Sequence, residues 1–414
     1  MMNKRMKLIK RVIKLSAVAL IAVTFSASLF ADAAEAQIAV KGETVYTMNG
    51  DAITNGVVLI KDGKIERVGR ENRVRIPSDY EVYEAKVVTP GMIDARSVVG
   101  LAGYYNQDHD QDQLETSSAV QPELRASDSY NAREFLVEYL REQGVTTIQT
   151  GHGPGAVISG QMMIVKPIGT NVDQALVQDA TMLSMTLGSG VRSNFSSPGT
   201  RSKAVSVLRQ ELIKAQDYAA QRAEGETNGT DLKSEVLADL IDGEITALVQ
   251  AQTAQDINTA LRIQREFGFP MILEGAAEAY LLIDEIKEAS IPVIIHPTMA
   301  RPGGDMKNVS FETAARLQEA GIPVAFQSGY EGYVPKTRVV RYEAGIAAAN
   351  GLGMENALYA LTVGAAEILG IDDRVGSLER GKDADIAMFD GDPFEYLTNV
   401  EGVIINGEVV YKPE

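Results

Sequence analysis

The chain has 414 residues, a formal net charge of −17 at pH 7 and no cysteine. Its length suits a barrel-sized domain with an accessory unit, and apolar residues at 45% of the total supply a sizeable core. The charge argues against nucleic-acid binding through a basic surface, and the lack of cysteine excludes disulfides, thiol catalysis and a lipid anchor on an N-terminal cysteine.

Residues 1–36 have the pattern of a secretory signal peptide. Lys4, Arg5, Lys7, Lys10, Arg11 and Lys14 form a basic region, Leu15 to Phe30 is apolar, and Ala31-Asp32-Ala33 and Ala34-Glu35-Ala36 offer small-x-small cleavage sites. The expectation is an exported, periplasmic or secreted protein with no membrane span after cleavage. Cleavage would take the formal charge to −21. Between Gln37 and Val68, short apolar runs are separated by Asn49-Gly50, Asn55-Gly56 and Asp62-Gly63, which reads as a β-meander with tight turns. Similar runs return at Ala384–Phe389, Val403–Ile405 and Val409–Tyr411, so both ends of the chain are expected in one β-sandwich.

The middle of the chain alternates buried-strand and helix patterns. Strands are predicted at Val87–Asp94, Val145–Thr150, Met162–Lys166, Thr181–Thr186, Ile245–Gln250, Met271–Glu274, Val293–His296 and Val324–Gln327. Helices are predicted at Ala132–Gln143, Ser202–Arg222, Asp256–Phe267, Glu278–Ala289 and Phe311–Ala320, and Glu224–Asp231 reads as a polar loop. Eight strands alternating with helices predict an α/β fold, a TIM-like (β/α)8 barrel. The expected organisation is a signal peptide at 1–36, a β-sandwich from 37–86 plus 376–414, and a barrel at 87–375.

Three stretches carry a family resemblance. Val87 to Asp94 (VVTPGMID), Leu361 to Ile368 (LTVGAAEI) and Gly376 to Asp385 (GSLERGKDAD) together resemble the amidohydrolase superfamily, and within it the imidazolonepropionase-like amidohydrolases. The resemblance implies the barrel with its composite sandwich, and hydrolysis of an amide-like C–N bond of a small polar substrate by one or two divalent metals, zinc or a similar ion. It places the metal ligands as His-x-His after the first strand, one His each on the fifth and sixth, and an Asp on the eighth.

This sequence departs from that pattern at each place. Arg96 and Val98 stand at the His-x-His positions, Gln250 on the fifth strand, Gly275 on the sixth and Gly329 on the eighth. The three histidines, His109, His152 and His296, are at least 43 residues apart, so no close pair exists. No metal cofactor is therefore expected, and any catalysis must use other groups. The candidates are His152 in the Gly-rich run after the second strand, His296 at the end of the seventh and Glu274 at the end of the sixth. Arg96, Gln250, Gln327, Ser328 and Arg301 are candidate ligand-binding residues, with Arg96 suited to a carboxylate. A bland alternative has Arg96 paired with Glu274 or Asp94. Asp108, Asp110, Asp112 and Glu115 crowd one loop without the glycine and glutamate spacing of an EF-type calcium site.

Two functions remain open at this point. One is a hydrolase on amide-like bonds. The other is a non-catalytic binding protein for a small carboxylate, or a partner subunit that pairs with a catalytic homologue or forms a homo-oligomer.

Overall fold

The computed structural model describes residues 37–105, 107–227, 229–299, 301–329 and 339–413. The expected signal peptide lies outside the described residues. No helix among them is long and apolar enough to cross a membrane.

The strands in chain order are β1 (Ile38–Val45), β2 (Ile53–Lys61), β3 (Lys64–Arg70), β4 (Glu81–Pro90), β5 (Met92–Ser97), β6 (Val145–Gly151), β7 (Ile158–Val165), β8 (Leu176–Gln178), β9 (Met182–Thr186), β10 (Thr246–Ala251), β11 (Met271–Gly275), β12 (Val293–Ile295), β13 (Val324–Ala325), β14 (Ile386–Phe389), β15 (Val400–Ile405) and β16 (Glu408–Tyr411). They form two sheets. The terminal sheet has the order β16-β15-β14-β4-β1-β2-β3, so both ends of the chain build one unit. One face of it gathers Ile38, Val58, Ile60, Val88, Ile386 and Ile404 into a separate core. The predicted strand at Val87–Asp94 is broken at Gly91: β4 belongs to the terminal sheet and β5 opens the barrel.

The predicted turn at Asp62-Gly63 forms as expected and joins β2 to β3; Asn406-Gly407 joins β15 to β16 in the same way, with all four residues at positive φ. Asn55-Gly56 does not make a turn; it lies inside β2 opposite Gly42. A Cβ at Gly56 would lie within 3 Å of the Val45 side chain, so this glycine serves close strand packing rather than chain reversal.

The second sheet runs β13-β12-β11-β10-β9-β7-β6-β5. It is closed across β5 and β13 by Ala95 N–H to Phe326 O at 3.1 Å, Gly329 N–H to Arg96 O at 3.3 Å and a Ser97–Gly329 bridge. The result is an eight-stranded TIM-like barrel with one irregularity. β7 runs antiparallel to both β6 and β9, so its C-terminal end points away from the mouth where the parallel strands end. Helices cover the outside. Arg201–Glu224, Leu232–Asp242 and Ala254–Phe267 are N-capped by the side chains of Thr200, Asp231 and Thr253, and each ends at a glycine in the left-handed region.

Because β7 is reversed, Lys166 leaves the barrel at the end facing the terminal sheet. It is buried there between Asp383 at 2.8 Å and Asp385 at 3.0 Å, and it also donates to Asn406. Lys64 reaches the other oxygen of Asp383, Oδ1, at 2.5 Å, and Arg374 shares Oδ2 with Lys166 at 2.9 Å. Burial alone would raise the Asp383 pKa, but its bonds to Lys166 and Lys64 outweigh that and hold it at about 2. This ion cluster fastens the barrel to the terminal sheet.

Candidate active site at the barrel mouth

The mouth is built on β5. Within the run Asp94-Ala95-Arg96-Ser97 all four residues are fully buried, because β5 closes the barrel between β6 and β13. Arg96 and Arg341 are the largest of the fully buried side chains among the described residues. Its Nε lies 2.9 Å from Glu274 Oε1 at the end of β11. Its Nη1 donates to Ser97 O and its Nη2 to His152 O, both at 3.0 Å. Two of the five guanidinium N–H groups, one on each Nη, thus donate hydrogen bonds, while Nε meets Glu274 as an ion pair without hydrogen-bond geometry. An unpaired guanidinium in this position would carry a large desolvation cost, so Glu274 is the partner that makes its burial tolerable.

Asp94 completes the group. Its Oδ1 accepts from Ser328 N–H at 3.0 Å and from Arg96 N–H at 3.3 Å. Burial raises its pKa to about 7, against the opposing pull of the Ser328 bonds and the Arg96 charge. Sequence reasoning treated Asp94 only as a possible partner for Arg96. The available signal was an acid flanked by Ile93 and Ala95 in a strand buried on both faces.

The other expected site residues divide into two groups. His152 belongs with the Arg96 cluster through its carbonyl. Its ring is 5% exposed and neither nitrogen makes a hydrogen bond within normal geometry. Burial first, and the Arg96 charge second, lower its pKa to about 4, with the Arg125 backbone opposing, so the ring is neutral at neutral pH. Ser328 touches both Asp94 and, at 3.4 Å, the Ser97 hydroxyl. His296 and Gln327 bind neighbouring backbone instead: His296 Nδ1 meets Pro297 O at 2.9 Å, and Gln327 Nε2 donates to Ile294 O at 3.3 Å. Burial also lowers the His296 pKa to about 4. Gln250 is half-buried on β10, in register with Glu274. Arg301 is exposed on the segment after β12.

Several buried polar atoms of this mouth have no hydrogen-bond partner within the protein: Asp94 Oδ2, Arg96 Nε, Glu274 Oε2, His296 Nε2 and both ring nitrogens of His152. A buried polar atom left unpaired is costly, so this group is suited to receiving water or a polar ligand.

The residues do not fit the divalent metal centre that the resemblance implies. Gly275 and Gly329 have φ of +79° and +71°, a region that L side chains rarely adopt. A Cβ at Gly275 would run into the Gln252 side chain, and one at Gly329 would lie 2.7 Å from Pro297 Cγ. Val98 is buried and apolar, and Arg96 brings a fixed positive charge. Among the described residues no group of three or more His, Cys, Asp or Glu side chains could hold a metal ion, the Asp108–Glu115 loop included.

Comparison with known proteins gives consistent relatives. The amidohydrolase family model matches residues 220–411. The chain is similar to the amidohydrolase tasK of Hapsidospora irregularis, at 24% identity over 82% of this chain but only 38% of that longer protein. It is similar to the imidazolonepropionase of Thermoplasma volcanium at 23% identity, covering 87% of this chain and 92% of that one. Among solved structures, an amidohydrolase from Thermotoga maritima superposes with a TM-score of 0.85 at 30% identity, over 91% of this chain and all of that one.

Proposed function

The chain belongs to the amidohydrolase superfamily, and from that premise we propose that it hydrolyses an amide-like C–N bond in a small polar substrate without a divalent metal at the barrel mouth. The observation that carries this reading is His152: a buried, neutral imidazole with free ring nitrogens, placed where its carbonyl is held by Arg96. In the proposed reaction the ring takes a proton from water as that water attacks the substrate carbonyl. The remaining Nη N–H groups of Arg96 stabilise the resulting oxyanion, and the imidazolium returns the proton to the leaving nitrogen as the C–N bond breaks. Asp94, with its pKa near 7, makes the charge around Arg96 depend on pH in the neutral range.

A second reading is favoured by one observation, the complete burial of Arg96 in its pair with Glu274. In that reading the mouth only binds a small polar ligand, or the chain is the partner of a catalytic homologue.

The test is turnover by chelator-treated protein on N-acyl amino acids, dipeptides and cyclic imides. The expected result is hydrolysis that survives chelation and falls about 10²–10⁴-fold in His152→Asn, the usual loss for an acid–base group. Activity that disappears with chelator and returns with zinc would overturn the proposal. Saturable ligand binding without turnover would select the second reading.

A further inference from the structure

The terminal sheet carries a cleft of about 890 Å³, far from the mouth residues described above. It runs along β3 at Glu66, Arg67 and Val68, and is bounded by Arg75 and by the segment ending at Arg380. Its volume is at the upper end of the range for ligand sites.

Three features of the cleft point to one class of occupant. The first is charge. Arg67, Arg75 and Arg380 all line the cleft and are all exposed. Arg75 and Arg380 make no hydrogen bond or ion pair among the described residues, and Arg67 donates only to the Arg73 carbonyl at 3.3 Å. Of the three acids on the lining, only Glu379 has a cationic partner among the described residues. Glu66 accepts from Tyr80 Oη at 2.6 Å, and Glu379 is held by Ser377 Oγ at 2.6 Å and Lys382 Nζ at 3.2 Å. With Glu379 paired to Lys382, Asp51 and Glu66 are the acids left opposite three guanidiniums, so the cleft keeps a positive excess in a chain whose overall charge is −17.

The second feature is an open strand edge. β3 is the last strand of its sheet. Its outer side begins an antiparallel pairing, with Ile65 N–H to Lys382 O at 3.0 Å and Gly381 N–H to Ile65 O at 2.9 Å. That pairing stops there, and no strand among the described residues continues it along Glu66–Arg70. The third is an apolar floor, supplied by Ile53, Leu59 and Leu378.

We propose that this cleft docks an extended acidic peptide. The peptide adds as a strand to the free edge of β3. One row of its side chains lies on the apolar floor, and the alternate row presents carboxylates to Arg67, Arg75 and Arg380. Strand addition supplies the main-chain bonds, and the alternation of side chains supplies the selectivity. The planar guanidinium matches a carboxylate in two-point contact.

The test is fluorescence anisotropy of a labelled (Glu-Val)4 peptide with the full chain at moderate salt. Saturable binding is expected, with affinity at least tenfold weaker for the triple variant Arg67→Gln/Arg75→Gln/Arg380→Gln. A (Lys-Val)4 peptide should not bind. The three positions are exposed, so the variant should melt at the wild-type temperature, which separates lost docking from lost folding. Absence of saturable binding, equal binding by the triple variant, or displacement of the peptide by inorganic phosphate at the concentration of unlabelled peptide that displaces it would each overturn the proposal.

Discussion

Two buried ion groups sit at opposite ends of the same barrel, and they differ in how completely they are satisfied. At the junction with the terminal sheet, Lys166, Lys64 and Arg374 surround Asp383 and Asp385, and Asp385 Oδ2 is the one atom of this group without a hydrogen bond. At the mouth, one pair, Arg96–Glu274, is surrounded by unpaired atoms of Asp94, Glu274, His152 and His296. A buried polar network that is satisfied internally holds a fold in place. One that leaves polar atoms unmet within the protein is suited to receiving water or a polar ligand. The contrast marks the mouth as the end with capacity for chemistry, even though its largest charge is fixed in an ion pair.

The comparison can be broken most strongly at the junction. Lys166→Met leaves Asp383 and Asp385 without their shared buried cation, and a loss of roughly 3–5 kcal/mol in chemical denaturation is expected. A loss under about 1 kcal/mol would mean that the junction is not the structural cluster described. Arg96→Met should also destabilise, by about 3 kcal/mol, because Glu274 is left buried and unpaired. Here the double variant Arg96→Met/Glu274→Leu should recover to within about 1 kcal/mol of wild type, since an isolated buried pair replaced by apolar groups is often neutral. Failure of that recovery would show the mouth to be as interlinked as the junction.

A smaller effect concerns pH. The Asp94 pKa is raised in the folded chain, so its contribution to stability is fully present below the unfolded value near 3.8 and is lost as pH rises through about 7. Asp94→Asn should therefore gain stability over wild type at pH 8 and show almost no gain at pH 4. His152 and His296 act in the opposite sense. Their contribution is present above pH 6.5 and is lost as pH falls to about 4. Equal gains at both pH values in Asp94→Asn would remove the case for a titrating mouth. The smallest expected effect is at the surface, where Arg209 pairs with a partly exposed Glu266 at 2.7 Å. Arg209→Gln should cost under about 1 kcal/mol, which calibrates the two buried groups against an ordinary ion pair.

The barrel was largely legible in the sequence, because buried parallel strands read as short apolar runs and the long outer helices carry clear caps. Val145–Gly151 and Thr246–Ala251 differ from expectation by about one residue at their ends. The direction of β7 was not legible, since an apolar run such as Ile158–Val165 has the same pattern whichever way it runs. The reversal is what carries Lys166, the last residue of the predicted strand, to the end of the barrel facing the terminal sheet. The helices Val340–Ala347, Met354–Ala360 and Val363–Leu369 were passed over as elements because they are short and rich in alanine, with little amphipathic contrast. At the mouth, the residues standing at the ligand positions could be read by their place after each strand. Which of them touch was legible only as an alternative, the pairing of Arg96 with Glu274 or Asp94, because the Arg96–Glu274 contact that forms joins residues 178 positions apart.

The left-handed backbone at Gly275 and Gly329 has a consequence for descent. A strand end that carries an ordinary residue can gain a new functional side chain by a single substitution. Here an L-residue at either position meets an unfavourable φ, so gaining a side chain there costs stability. At Gly275 the flexible end of Gln252 would also have to move, and at Gly329 the ring of Pro297 stands in the way. The backbone therefore acts as a filter: selection can refine the side chains that the mouth now holds more readily than it can add one at these two strand ends.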